Sequence, residues 1–202
     1  MRRRGGGRAL NPKNIFQDII ITISGLPGSG TTTASKLLAE NADMEMHSSG
    51  EFFREMAKER DMSLEEFGEL AENNIEIDKK VDDRMINTAE SGMVLEARLT
   101  GHLMNRSEKK AFKVWIEASL DTRVKRIADR EGYTEDEIEE LKEKVKKREA
   151  SERKRYKKYY DIDINDTSFY ELVISSEDNN PEEIVEAIME GARNEICERK
   201  GE

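Results

Sequence analysis

The sequence predicts an α/β fold in which a five-stranded parallel sheet carries helices on both faces. Five short runs rich in apolar residues lie along the chain, and segments with helical periodicity separate them. The first run is almost continuously apolar rather than alternating, which is typical of a parallel strand that is buried on both faces. Helical connections between parallel strands then produce a three-layer arrangement.

The first strand is predicted at residues 19–23, where four isoleucines accompany one threonine. A glycine-rich segment follows at once, and Ala34, Leu37 and Leu38 then recur at helical spacing. This order predicts a strand, a loop and a helix. Residues 44–46 are the candidate second strand.

A long helical segment is predicted over residues 50–91. Phe52 and Met56 lie on one apolar face, and Ser63 with Glu66 has the spacing of a capping box at the start of a further helix. Another helix is predicted over residues 77–89. Because the whole segment is too long for a simple crossover between strands, we expect an inserted helical subdomain.

The remaining strands are predicted at residues 93–95, 114–116 and 172–174. A helix over residues 122–130 precedes a long, highly charged helix, which Thr134 and Glu137 open as a second capping box. Asn180 as N-cap and Pro181 at the first helical position open the last helix.

Length, charge and cysteine content exclude several classes of protein. The chain has 202 residues, which suits one domain, and its 44 acidic and 34 basic side chains give a net charge of −10. Such a chain is a poor non-specific partner for nucleic acid or an anionic membrane surface. The single cysteine, Cys197, excludes an internal disulfide and favours a reducing compartment, so we expect a cytoplasmic protein. No apolar run reaches the length of about 18 residues that a membrane span needs.

Residues 1–18 are predicted to be a flexible extension, so that the folded domain spans residues 19–202. The extension contains basic residues and a run of three glycines, but no hydrophobic core of a secretory signal. An arm that binds nucleic acid or a partner protein is the alternative interpretation.

The strongest candidate site is a glycine-rich loop between the first strand and the first helix. It comprises Gly25, Leu26, Pro27, Gly28, Ser29, Gly30, Thr31, Thr32 and Thr33. Its glycines let the backbone wrap around a phosphate, and the helix N-terminus adds partial positive charge. The Thr32 hydroxyl has the position of an Mg²⁺ ligand, but Thr31 replaces the usual lysine. Either the loop binds phosphate with weak catalysis, or other cations supply the missing charge.

A basic segment offers such cations. Residues 142–158 contain ten Lys or Arg and only three Glu. Arg148 and Arg155 are seven positions apart and therefore share one helix face. Arginine suits bidentate phosphate contacts and stabilises charge in phosphoryl transfer, whereas a solvated helix face is the alternative interpretation.

Together these motifs resemble the nucleoside monophosphate kinases, and most closely the archaeal-type cytidylate kinases. The resemblance covers residues 19–190 and includes the phosphate loop GLPGSGTTT, where some members of the family also carry Thr in place of Lys. It implies a P-loop three-layer fold with an inserted helical monophosphate-binding subdomain at residues 50–91 and a lid at residues 130–158.

The resemblance also implies residues that bind the acceptor and the metal. The segment SGEFFR is similar to the family's entry to the monophosphate-binding subdomain, so Ser49 would contact the nucleotide and Arg54 its phosphate. The segment EAR resembles the family's segment after the third strand, so Arg98 would hold the monophosphate and Glu96 would act on the Mg²⁺ shell.

The resemblance implies catalytic arginines as well. The segment REASERKR is similar to the family's lid motif, so Arg148 and Arg155 would clasp the transferred phosphoryl group and Glu152 would help to place the acceptor. Arg123 and Arg126 resemble the donor-side and lid-base arginines of the family.

An ATP-dependent cytidylate kinase of pyrimidine nucleotide metabolism is thereby implied, which converts CMP or dCMP to the diphosphate with Mg²⁺ as cofactor. We expect a monomer whose partners are these small molecules, without nucleic acid or membrane. An adenylate kinase or another P-loop small-molecule kinase is the alternative among enzymes. A non-catalytic nucleotide-binding assembly protein is the alternative of another class.

Overall fold

A sheet of five parallel strands lies at the centre of the computed structural model, which describes residues 14–72 and 74–201. The strands are β1 (Ile20–Gly25), β2 (Glu45–Ser48), β3 (Met93–Glu96), β4 (Ala111–Glu117) and β5 (Leu172–Ser175). Their order across the sheet is β2-β3-β1-β4-β5, and every neighbouring pair is parallel. The predicted α/β fold with five parallel strands is confirmed.

Eight α-helices connect and cover these strands within the described residues. They are α1 (Thr31–Ala42), α2 (Ser49–Lys58), α3 (Leu64–Glu72), α4 (Ile75–Thr88), α5 (Thr100–Arg106), α6 (Leu120–Glu131), α7 (Ile138–Tyr160) and α8 (Pro181–Gly201). Short 3-10 turns occupy Asn14–Asp18 and Glu135–Glu137. The helix α5 has no counterpart among the predicted elements. The helix α6 begins two residues before its predicted start, since Ser119, whose hydroxyl accepts from Thr122 N, is the N-cap.

The two faces of β1 explain the three layers. All six residues of this strand are buried. Ile21 and Ile23 pack into a core with α1 and α8, whereas Ile20 belongs to the core formed with the helices α2, α3 and α4. Side chains alternate across a strand, so a strand of this kind needs an apolar layer on each side.

The segment predicted as a helical insertion forms the three helices α2, α3 and α4. Ser63 and Glu66 make the reciprocal hydrogen bonds of a capping box at the start of α3, with Ser63 N to Glu66 Oε2 at 2.8 Å and Glu66 N to Ser63 Oγ at 3.2 Å. Phe67 and Met85 are buried in their shared core. This packing holds the three helices over the β2–β3 end of the sheet, beside the site described below.

The folded part of the chain begins before the predicted boundary at residue 19. Phe16 is fully buried in the core beside α8, and the Arg193 guanidinium lies 5.4 Å from the centre of its ring. Residues 14–18 therefore belong to the fold, because an aromatic side chain buried in this way removes a large apolar area from water. The rest of the predicted extension, residues 1–13, lies outside the described residues.

In the part of the chain that the structure describes, no helix combines the length and the apolar character that crossing a membrane requires.

Candidate active site

The glycine-rich loop has the backbone geometry of a phosphate cradle. Gly28 and Gly30 have φ angles of +84° and +92°, which favour glycine. A Cβ atom on Gly25 would lie 2.5 Å from the carbonyl oxygen of Ile116, so a side chain is excluded there too. Gly30 gives the first turn of α1 no side-chain cap, and the amide groups at this helix end therefore suit a bound anion.

Thr31, which stands where a lysine is usual, contacts a carboxylate at the end of the neighbouring strand. Its Oγ1 donates a hydrogen bond to Glu96 Oε1 at 2.8 Å. Parallel strands end at one edge of the sheet, and this brings the end of β3 beside the loop that follows β1. Burial raises the pKa of Glu96, while the bond from Thr31 and the nearby charges of Arg98 and Lys36 oppose that rise.

The predicted magnesium ligands suit an ion that is coordinated by few protein groups. Thr32 is exposed at the start of α1, and Glu96 is partly buried at the adjacent strand end. A hydroxyl and a carboxylate are the oxygen donors that Mg²⁺ prefers. Among the described residues, no group of three or more His, Cys, Asp or Glu could hold a metal ion. This composition suits an ion that keeps several waters and binds substrate phosphates.

Arg123 and Arg126 support the phosphate loop from α6. Arg123 donates to the carbonyl oxygen of Pro27 at 3.3 Å and forms an ion pair with Glu149 of α7. Arg126 donates to the carbonyl oxygen of Gly28 at 3.3 Å and to Ser176. Neither arginine lines the cavity described next, so their predicted catalytic role stays a prediction.

A cavity of about 300 Å³ lies between α2, α4, α7 and the segment that follows β3. Its lining includes five predicted site residues, namely Ser49, Arg98, Arg148, Glu152 and Arg155. It also includes residues that the sequence analysis did not select, namely Asp78, Asp82, Tyr156, Phe53, Val81, Ala97 and Leu99. The fold thus brings together side chains that are up to 107 positions apart in the sequence, from Ser49 to Tyr156.

Ion pairs connect the arginines of the cavity to its acids. Glu152, which is only 6% exposed, contacts Arg98 and accepts a hydrogen bond from Arg148 Nε at 3.0 Å. Arg155 lies 3.5 Å from Asp78 of α4. Since a phosphate group pairs with arginine in the same way as a carboxylate does, this arrangement can receive a phosphate.

Asp82 has a different environment from the other acids of the cavity. Its Oδ2 accepts a hydrogen bond of 2.6 Å from the Tyr160 hydroxyl at the end of α7. Burial raises the pKa of Asp82 to about 7; the bond from Tyr160 opposes this rise, and the nearby carboxylates of Asp78 and Asp83 add to it. This contact and the pair between Arg155 and Asp78 both join α7 to α4.

Arg54 lies at the margin of the cavity rather than in its lining. It is exposed on α2, and its Nη1 is 3.5 Å from the position of a Cβ atom built on Gly50, which does line the cavity. Ser49 is the first residue of α2, whereas the hydroxyl that caps this helix belongs to Ser48.

One sequence signal could have found the acids of α4. Asp78 and Asp82 are four positions apart and so share a helix face. That face lies beside the apolar stripe of Val81 and Met85, which the helical pattern predicts to be buried. Charged residues next to a buried stripe are candidates for a site.

Comparisons with known proteins identify similar chains. The model of the cytidylate kinase-like family matches residues 20–178. A cytidylate kinase of Methanosarcina mazei is 54% identical over 159 residues, which cover 78% of this chain and 87% of that protein. A cytidylate kinase of Pyrococcus horikoshii is 45% identical over 165 residues, or 81% of this chain and 83% of that protein.

Solved structures share the fold at low sequence identity. The shikimate kinase of Acinetobacter baumannii in complex with shikimate has a TM-score of 0.60 and 14% identity, and the match covers 91% of this chain and 98% of that one. The shikimate kinase of Aquifex aeolicus has a TM-score of 0.55 and 17% identity, with 89% and 99% covered. These likenesses concern the fold alone.

Proposed function

The chain belongs to the cytidylate kinase-like family, and from this premise we propose that it is a cytidylate kinase that transfers the γ-phosphoryl group of ATP to CMP or dCMP. The observation that carries the proposal is the convergence of Arg98, Arg148 and Arg155 on one cavity, near a phosphate loop at the same sheet edge. Two polyanions must approach each other in this reaction, and such a set of cations reduces their repulsion.

The donor is assigned to the loop between β1 and α1. Amide groups at the start of α1 bind its phosphates, and the carbonyl contacts from Arg123 and Arg126 keep the loop in shape. Thr32 and Glu96 would hold Mg²⁺, with Glu96 acting through water. The ion supplies positive charge to the phosphate oxygens of the donor.

The acceptor is assigned to the cavity, where its phosphate replaces the carboxylate of Glu152 as the partner of Arg98 and Arg148. An oxygen of that phosphate attacks the γ-phosphorus, the bond from this phosphorus to the β,γ-bridging oxygen breaks, and ADP leaves. At the entrance of the cavity, Ser49 is assigned to contact the nucleotide and Arg54 to contact its phosphate. Arg148 and Arg155 stabilise the charge of the transferred group, and no strong general base is needed.

The lid role of α7 is supported by its contacts. This helix reaches the phosphate loop through Glu149 and Arg123, and it reaches α4 through Arg155 and Tyr160. A single element that touches both nucleotide sites can exclude water from the transfer. Because both sites lie within one chain, we also propose a monomer, and the lone Cys197 favours a cytoplasmic location.

A coupled assay of ADP release with CMP, dCMP, UMP and AMP as separate acceptors tests the proposal. We expect CMP and dCMP to have the highest kcat/KM. Faster turnover of AMP than of CMP would identify an adenylate kinase instead. ATP binding without turnover of any monophosphate would favour the non-catalytic alternative.

A further inference from the structure

We infer that Asp82 is the residue that distinguishes cytosine from uracil, by accepting a hydrogen bond from the 4-amino group of the acceptor base. This inference rests on the proposed function, and it assigns a role to an acid that the phosphoryl transfer itself does not use.

Asp82 is the one acid in the cavity lining without a cationic partner among the described residues. Glu152 pairs with Arg98 and Arg148, and Asp78 pairs with Arg155. A carboxyl group without a cation repels a phosphate and costs free energy when it is buried. Asp82 is therefore unsuited to the charged end of a nucleotide and suited to a neutral hydrogen-bond donor.

The carboxyl group is held in position by a contact that leaves one oxygen available. Tyr160 donates to Oδ2, while no described residue donates to Oδ1. Phe53, Val81 and Leu99 line the same cavity and offer apolar surface. A flat ring with one polar edge fits this combination of apolar walls and a single fixed acceptor.

Cytosine and uracil differ at that polar edge. The 4-amino group of cytosine donates hydrogen bonds, whereas the 4-oxo group of uracil only accepts them. A carboxylate that faces the 4-oxo group leaves two acceptors opposed and unpaired, and sites built on a buried hydrogen bond reject such analogues strongly. Because burial raises the pKa of Asp82 to about 7, this opposition applies where the pH is well above 7 and the group is a carboxylate, and the acceptors are compared there.

The experiment measures kcat/KM for CMP, for UMP and for the 5′-monophosphate of pyrimidin-2-one riboside, which lacks only the 4-amino group. Wild type is compared with Asp82→Asn and with the matched control Asp83→Asn, which changes an exposed neighbour on the same helix. We expect Asp82→Asn to lower the CMP to UMP ratio by about 10- to 100-fold, because an amide can donate to the 4-oxo group. The control should keep the ratio of wild type.

The pyrimidin-2-one nucleotide tests the contact without relying on the variant. We expect wild type to use it about 10- to 100-fold less well than CMP, and Asp82→Asn to lose most of that difference. Equal use of the two nucleotides by wild type overturns the inference, as does an equal loss with all three acceptors in Asp82→Asn. If wild type does not phosphorylate CMP, the proposed function fails; if it does and the ratio does not respond, only the role of Asp82 fails.

Discussion

At the residue scale, each arginine that lines the cavity is paired with a particular acid. Glu152 is buried and contacts two arginines, so an incoming monophosphate must compete with its carboxylate. Asp78 accompanies Arg155 in the same way. The cations are thus kept in place by acids of the protein itself, which limits the rearrangement that binding requires. Two predictions follow from individual side chains.

The first concerns Arg148 and Arg155. Thr31 brings no positive charge to the transferred phosphoryl group, so these arginines must supply part of it. Arg148→Ala and Arg155→Ala are each expected to lower kcat by about 100-fold or more, while ATP binding survives. Steady-state kinetics and nucleotide titration measure both effects.

The control for these variants is Lys147→Ala, which removes an exposed cation from the same helix. It should leave kcat close to that of wild type. If Arg148→Ala and Arg155→Ala also keep normal turnover, these arginines form only a solvated helix face.

The second concerns the stability of Asp82→Asn. The pKa of Asp82 is about 7 in the folded protein and ordinarily 3.8, so folding favours its protonated form, and the contribution of this group to the stability of wild type falls as the pH rises from about 4 to about 7. Asparagine carries no charge and still accepts from Tyr160. The variant should therefore be more stable by about 2–4 kcal/mol at pH 8, since one pKa unit corresponds to about 1.4 kcal/mol.

Denaturant unfolding at pH 4 and pH 8 measures this change, because the advantage of Asp82→Asn should almost vanish at the lower pH. Asp83→Asn serves again as the control and should show no comparable dependence. An advantage of Asp82→Asn that is the same at both pH values would contradict the assigned cause.

At the element scale, short helices depend on their first turn. The helix α3 has nine residues, and the Ser63–Glu66 box supplies hydrogen bonds to amide groups that otherwise lack partners in the helix. A second capping box, formed by Thr134 and Glu137, opens the 3-10 turn that precedes the longer helix α7. Both boxes confirm the sequence analysis.

We predict that Ser63→Ala lowers the free energy of unfolding by about 1 kcal/mol, because the hydroxyl that accepts from Glu66 N is lost. Ser63→Thr keeps a hydroxyl and should cost much less. Chemical denaturation of the three proteins measures the difference. If alanine and threonine have the same effect, the box contributes nothing and the core around Phe67 alone holds α3.

At the scale of the whole molecule, the chain ahead of β1 completes the core on the α8 face. Phe16 is fully buried, and Lys200 near the end of the chain lies 2.7 Å from Asp18. Contacts between residues 182 positions apart thus join the start and the end of the described fold. The stability of this layer therefore depends in part on residues 14–18, which contribute no side chain to the lining of the cavity.

We predict that Phe16→Ala lowers the free energy of unfolding by about 3–5 kcal/mol, since it leaves a cavity where an aromatic ring was packed. Removal of residues 1–13, which are rich in arginine and glycine, should leave the thermal midpoint and the turnover nearly unchanged. Thermal unfolding and the coupled assay check both variants. A large loss on truncation would show that the preceding residues also contact the fold.

Local patterns determined the strands, most of the helices, the caps and the phosphate loop of this protein. Runs such as residues 19–23 and spacings such as Ser63 to Glu66 act between neighbours, so the sequence alone contains their physical cause. The seven-residue spacing of Arg148 and Arg155 likewise predicted their shared helix face. The family resemblance added the grouping of the arginines with Ser49 and Glu152.

Tertiary structure alone decided the partners of these residues. It paired Thr31 with Glu96, Arg123 with Glu149 and the partly buried Asp82 with Tyr160, over separations of 26 to 78 positions. It also buried Phe16, which with Ile15 forms an apolar pair that is too short to indicate a helix or a strand. Such contacts depend on how helices pack on the sheet, and that arrangement arises from the summed burial of the whole core rather than from any local pattern.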